Sequence, residues 1–151
     1  MIQDLKTVLL RDLASLRREI EQYPDEASLW RPLPGTANPG GNLALHLAGN
    51  LRFFVGAQLG KIHYVRDRER EFAVRDLPRS QVLEEIDAAA RAVETTLGSL
   101  DPVVLEQEFP VPMGGQRLGT RHFLFTLCAH LAYHLGQVNY HRRLASQPSN
   151  A

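Results

Sequence analysis

Three histidines carry the chemistry that this sequence offers. His130 and His134 stand four residues apart, so on a helix both imidazoles leave one face a single turn apart. That spacing lets two imidazoles reach one metal ion. At about 100° per residue, Leu127, Leu131 and Val138 point close to the same direction, so the pair faces a protein interior. Imidazoles turned inward need hydrogen-bond partners or a metal, because unpaired buried polar groups are costly. The pair alone reads equally as two satisfied core histidines or as two ligands. His46 shifts the balance, because it lies midway along an apolar run, Leu43-Ala44-Leu45-His46-Leu47-Ala48-Gly49. A polar ring there again needs a partner. One histidine from one helix and two from a facing helix form the kind of site that helix bundles build in their cores. Three protein ligands with an open position is the catalytic pattern, whereas structural zinc sites are closed by four. The expectation is one divalent metal ion held by His46, His130 and His134.

The other candidates fit less well. His63 falls in a polar segment and is expected to be exposed, and His122 sits at the mouth of the last helix. His141 shares the face of His134 but lies roughly 10 Å further along the axis; it is expected either at the rim as a solvated group or lining the pocket. Asn50, one turn after His46, and Gln137, beside His134, are expected to orient a ligand or a metal-bound water if they do not simply bond between helices. Cys128 points away from His130 and reads as packing. The segment His130-Leu131-Ala132-Tyr133-His134 lacks the glutamate of a zincin, so that motif's general base is missing. A di-iron bundle would need inward glutamates on these helices, which they do not have.

The elements that must position these residues are helical. Leu5, Leu9, Leu13, Leu16, Ile20 and Tyr23 recur at three- and four-residue steps, giving one apolar stripe that ends near Pro24. A breaker-rich connection from Leu29 to Gly41 follows, with Trp30 expected to fold back on the core as a lid. A second helix is expected from Asn42, as its N-cap, to about Gly60, and a polar, irregular stretch from there to Pro78. Ser80 would cap a third helix with Val82, Leu83, Ile86, Ala90, Val93, Leu97 and Leu100 inside. Residues 102–120 carry a short strand pattern about Phe109 with a turn at Gly114-Gly115, but Pro110 and Pro112 argue against a regular sheet. Thr120 opens the last helix, which runs to about Ala145. The fold expected is all-α: a four-helix bundle with a long decorated connection between helices 3 and 4.

Bulk properties narrow the function. The chain has 151 residues, enough for one domain with a core of its own. Lys plus Arg and Asp plus Glu each total 17, so no basic excess points to nucleic acid. The alternating run Arg66-Asp67-Arg68-Glu69-Arg70-Glu71 reads as a solvated segment. One cysteine excludes an internal disulfide and fits a reducing compartment. No stretch approaches the roughly 20 apolar residues of a membrane span, and the start Met-Ile-Gln-Asp-Leu-Lys has no signal-peptide character. A cytoplasmic location is the expectation.

With these residues in view, the sequence resembles the DinB-like superfamily, also described as YfiT-like or bacillithiol-transferase-like bundles. The match rests on His46 in Leu45-His46-Leu47-Ala48-Gly49-Asn50, on His130-Leu131-Ala132-Tyr133-His134-Leu135-Gly136-Gln137, and on the loop Tyr64-Val65-Arg66-Asp67-Arg68-Glu69. It covers nearly the whole chain in helix order and spacing. The resemblance implies a four-helix bundle, a three-histidine site for zinc or nickel, frequent dimers, and chemistry with a low-molecular-weight thiol such as bacillithiol or mycothiol. The chain departs from many members at Leu131 and Leu135, where they carry Glu and Arg; the departure spares the ligands but bears on substrate chemistry.

Two functions follow as expectations. The first is a metal-dependent S-transferase that holds a bacillithiol-, mycothiol- or glutathione-like thiol as its nucleophilic thiolate and delivers it to a small electrophilic substrate, with metal-dependent hydrolysis as a close variant. The alternative is a non-catalytic, stress-associated bundle that keeps the metal for stability. A homodimer is also expected through the last helix. Phe125, Ala129, Ala132 and Gly136 lie away from the histidines at helical spacing, and a helix apolar all round needs cover all round. The competing account is that residues 102–120 cover this face within one chain.

Overall fold

A computed structural model describes residues 1–148. Among them the chain forms six α-helices: α1 (Ile2–Glu21), α2 (Glu26–Leu29), α3 (Gly40–Leu51), α4 (Arg68–Ala73), α5 (Arg79–Ser99) and α6 (Thr120–Ala145). The architecture is all-α, with no strand among the described residues. The amphipathic stripe of α1 is buried from Leu5 to Ile20, and Tyr23 closes it from beneath. Helix α1 packs on α5 and α6, and α3 packs on the same two. Every residue of α3 is buried, which is why its sequence is mostly apolar, with Asn42, His46 and Asn50 as the polar exceptions.

The N-cap of α3 is Pro39, not Asn42. Asn42 is instead wholly buried one turn in, where its Nδ2 donates to the carbonyls of Glu71 (3.0 Å) and Val74 (2.8 Å). Likewise α5 begins at Arg79 behind Pro78, one residue before the Ser80 that sequence reading made its cap. Helix α3 runs on into a π-helical stretch, Arg52–Leu59, in which Gly60 N–H bonds to the Val55 carbonyl five residues back.

Trp30 folds back as expected. It is 4% exposed, its indole N–H donates to the Leu77 carbonyl at 3.1 Å, and its ring lies flat against the backbone of Gly41. A Cβ there would sit 2.6 Å from Trp30 Cζ3, so no larger residue fits without moving the lid. The connection after α5 forms a 3₁₀ turn (Pro102–Glu106) and then a hairpin-like excursion with isolated bridges Glu108–Gly119 and Met113–Gln116. Gly114 (φ 55°) and Gly115 (φ 80°) make its turn in the left-handed region that glycine tolerates. Phe109 anchors the excursion by stacking on Phe123, with ring centroids 3.7 Å apart. The excursion does not cover the outer face of α6, since Phe125, Ala129, Ala132 and Gly136 are all exposed.

One expectation fails in an instructive place. The stretch before Pro78 is not irregular throughout, because Arg68–Ala73 is helical, capped by the Asp67 side chain accepting from Arg70 N–H at 2.9 Å. Nor is its charge run uniformly solvated, because Glu71 is buried. The reason lies in the site that α4 packs against.

Candidate metal centre

Helices α3 and α6 bring His46, His130 and His134 to one point. One nitrogen from each ring lies within 4.8 Å of the others. His46 Nε2 is 3.1 Å from His130 Nε2, and the three rings meet edge to face, with centroids 4.6 to 5.3 Å apart. His46 is buried at 5% exposure, while His130 and His134 are partly open. Burial pushes the pKa of His130 down to about 4, helped by the neighbouring His134, His46 and Arg66. Burial also lowers that of His134, against the opposing effect of the hydrogen bond its ring donates to Gln137. These two rings are therefore neutral at neutral pH, the form in which imidazole ligates.

Two of the rings have their far nitrogens tied down. Gln137 Oε1 lies 2.6 Å from His134 Nδ1, so Nδ1 carries the proton and Nε2 is left as a lone-pair donor. His46 Nδ1 is 3.1 Å from Glu71 Oε1. Burial would raise the pKa of Glu71, but hydrogen bonds from His46 and Arg66 and the Arg66 charge outweigh it and hold the carboxyl below its usual range. An ionised carboxylate accepts only, so toward Glu71 His46 Nδ1 is the donor, with the Arg66 Nη2 group also 3.3 Å from that nitrogen, and Nε2 is the nitrogen turned toward the cluster. Arg66 clamps the same carboxylate through Nη2 (2.8 Å) and Nε (2.9 Å). Phe72 packs against the His46 ring, with centroids 4.7 Å apart.

Glu71, Arg66 and Asn42 were not singled out as site residues by sequence reading. The signal lay in Gly49. A glycine inside a helix costs roughly 1 kcal/mol against alanine, so it asks for a close neighbour. That neighbour is Glu71, whose Oε2 would stand 2.1 Å from a Cβ at position 49. Asn42, His46 and Gly49, spaced as one stripe of α3, thus form the surface on which α4 docks.

The remaining candidates are placed as follows. His63 is exposed and outside the cluster, as expected, and His122, in the first turn of α6, is exposed and outside it too. His141 is not the solvated rim group, since it is 2% exposed. Its ring bridges inner elements: Nδ1 meets Tyr23 Oη at 2.7 Å and Gly40 N–H at 3.3 Å, and Nε2 meets the Arg31 carbonyl at 2.9 Å. It pins the connection after α2 to α6 while one edge lines a neighbouring cavity. Asn50 is buried one turn after His46, and its Oδ1 has no hydrogen-bond partner among the described residues. Cys128 is half-buried, its thiol pKa pushed up by burial, which makes it a poor nucleophile.

The helical architecture and the three-histidine cluster are together compatible with a metal-binding α-helical protein. A family profile described as the DinB superfamily matches residues 9–138, and the chain belongs to that superfamily. A comparison with curated proteins returned no match. Among the described residues no helix is long and apolar enough to cross a membrane.

Proposed function

We propose that His46, His130 and His134 hold one divalent metal ion, zinc or nickel, and that the chain uses it as a thiol S-transferase on a small electrophile. The observation that carries this reading is the donor set itself: three imidazole nitrogens within 4.8 Å of one another, two of the rings having Nδ1 bonded elsewhere so that Nε2 carries the lone pair. Three nitrogen ligands suit zinc or nickel and leave a coordination position open. A bound ion of this kind stabilises a thiolate at neutral pH. In this reading α1, α3, α5 and α6 are the four members of a bundle, and the chain is a single domain.

The protein's own residues do the positioning. Glu71 and Gln137 hold their histidines in one tautomer and one orientation. Arg66 keeps Glu71 ionised and fixed, so that carboxylate supports His46 and does not shuttle protons. In this reading Asn50 orients a ligand, while His141, bonded to Tyr23, Gly40 and Arg31, holds the adjoining loop. The reading includes a homodimer through the open face of α6, for which the exposure of Phe125, Ala129, Ala132 and Gly136 is the support.

A second reading, a metal-binding bundle without turnover, draws on the same locked carboxylate, since Glu71 is occupied by Arg66. The test is a turnover screen of the zinc-loaded chain with bacillithiol, mycothiol and glutathione against alkyl and aryl halides and epoxides. Thiol-dependent product that disappears in His130→Ala supports the transferase; uniform inactivity with intact metal binding supports the second reading.

A further inference from the structure

Beside His134 a cavity of about 470 Å³ opens between α6 and the loop that follows α2. One wall is a single face of α6, where Tyr133, Gln137 and Tyr140 follow at helical spacing. The facing wall includes Thr36 and Leu43. No Lys, Arg, Asp or Glu lines it. Two neighbouring cations are turned elsewhere: Arg31 donates to the Ala145 carbonyl at 2.9 Å, and Arg142 pairs with Glu19. His141, at the cavity floor, has both ring nitrogens occupied by internal partners. Tyr133 and Tyr140 are 66% and 70% exposed, more open than aromatic rings with a packing role in a core. A concave site with aromatic walls and no charge favours a flat apolar ligand, and it penalises an ion, which finds no counter-charge there.

We infer that this cavity receives the uncharged aromatic portion of the electrophile, with Tyr133 and Tyr140 as its stacking surfaces and His134 at the end where reaction would occur. The class of substrate is therefore a neutral arene-bearing small molecule. The assignment of this ligand as a substrate rests on His134 being a metal ligand; the binding itself does not.

The test is direct titration of the full chain with 2-naphthol and with 2-naphthoate, which share a ring system and differ in charge. It is run on zinc-loaded protein and on protein dialysed against EDTA. Saturable 2-naphthol binding is expected in both preparations. In the dialysed protein, where no ion can hold the carboxylate, 2-naphthoate should bind at least tenfold more weakly. Tyr140→Ala should weaken 2-naphthol roughly threefold to tenfold, and Tyr140→Phe should restore it. Tyr140 is largely exposed, so the fold should survive, and circular dichroism checks that. Equal binding of the two probes after dialysis would overturn the inference, as would indifference to Tyr140→Ala. So would absence of naphthol binding because a second copy of the chain covers the face. Naphthol binding without any metal uptake would contradict the metal reading alone; metal uptake without naphthol binding would contradict this inference alone.

Discussion

His46 and Glu71 are joined Nδ1 to Oε1 at 3.1 Å, both side chains being 7% exposed. Through this contact a residue of the short helix α4 sets the orientation of a ring on the central helix α3. Carboxylate partners of this kind typically change metal affinity 10- to 100-fold, roughly, when removed. Glu71→Gln should therefore weaken zinc binding by roughly that factor in a competition titration. Wild-type affinity in Glu71→Gln would show that the contact does not support a ligand.

Gly49→Ala offers an independent route to the same contact. Alanine favours the helix by roughly 1 kcal/mol, yet its Cβ would stand 2.1 Å from Glu71 Oε2 and must push the carboxylate aside. The expected result is weaker zinc binding without a matching gain in thermal stability. A variant that is both more stable and fully competent for zinc would contradict the close approach.

The lid gives a prediction about stability. Gly41→Ala places a methyl 2.6 Å from Trp30 Cζ3, in a buried setting with no room to yield. Overpacking of this sort costs about 1–3 kcal/mol, and the melting temperature should fall accordingly. Trp30 fluorescence should shift to the red as the lid lifts. An unchanged melting temperature and spectrum would mean the ring does not rest on that backbone.

The metal-free protein should also lose stability in acid. In the folded chain His130, His134 and His141 all titrate below the ordinary histidine value of about 6.5, His130 at about 4, and burial is the leading cause in each. The unfolded chain then binds protons that the folded chain refuses, so the stabilisation is complete above about pH 6.5 and is lost as pH falls toward about 4. Denaturant midpoints measured across that window should decline, and His141→Asn should reduce the slope. A flat profile would indicate that these rings are hydrated.

Most of the fold was legible because burial writes period into sequence. The stripe from Leu5 to Ile20, the inner face from Val82 to Leu97 and the start of the last helix at Thr120 all follow from spacing. The three histidines were legible for the same reason, being polar on otherwise apolar faces. Helix α4 and Glu71 were not, because a charge run reads as solvated unless its partners are known, and Arg66, His46 and Asn42 reach it from other segments. The cap of α3 was missed because Asn42 spends its side chain on a tertiary contact in place of a local one.

Self-association can be settled with one substitution. Ala132 is exposed in the middle of the open face of α6, so Ala132→Glu should leave the chain folded and helical while converting a dimer to a monomer, the commonest oligomer being a two-fold one. Sedimentation of both forms at micromolar concentration decides it. An unmutated chain that already sediments as a monomer removes the dimer from the account.

The measurement that bears most directly on the central claim is metal content of protein made without a histidine tag, by mass spectrometry, for the wild type and for His130→Ala with His134→Ala. The account predicts about one divalent ion per wild-type chain, near none in the double variant, and an unchanged value in His63→Ala, whose exposed ring stands outside the cluster. Stoichiometric metal retained by the double variant would contradict it.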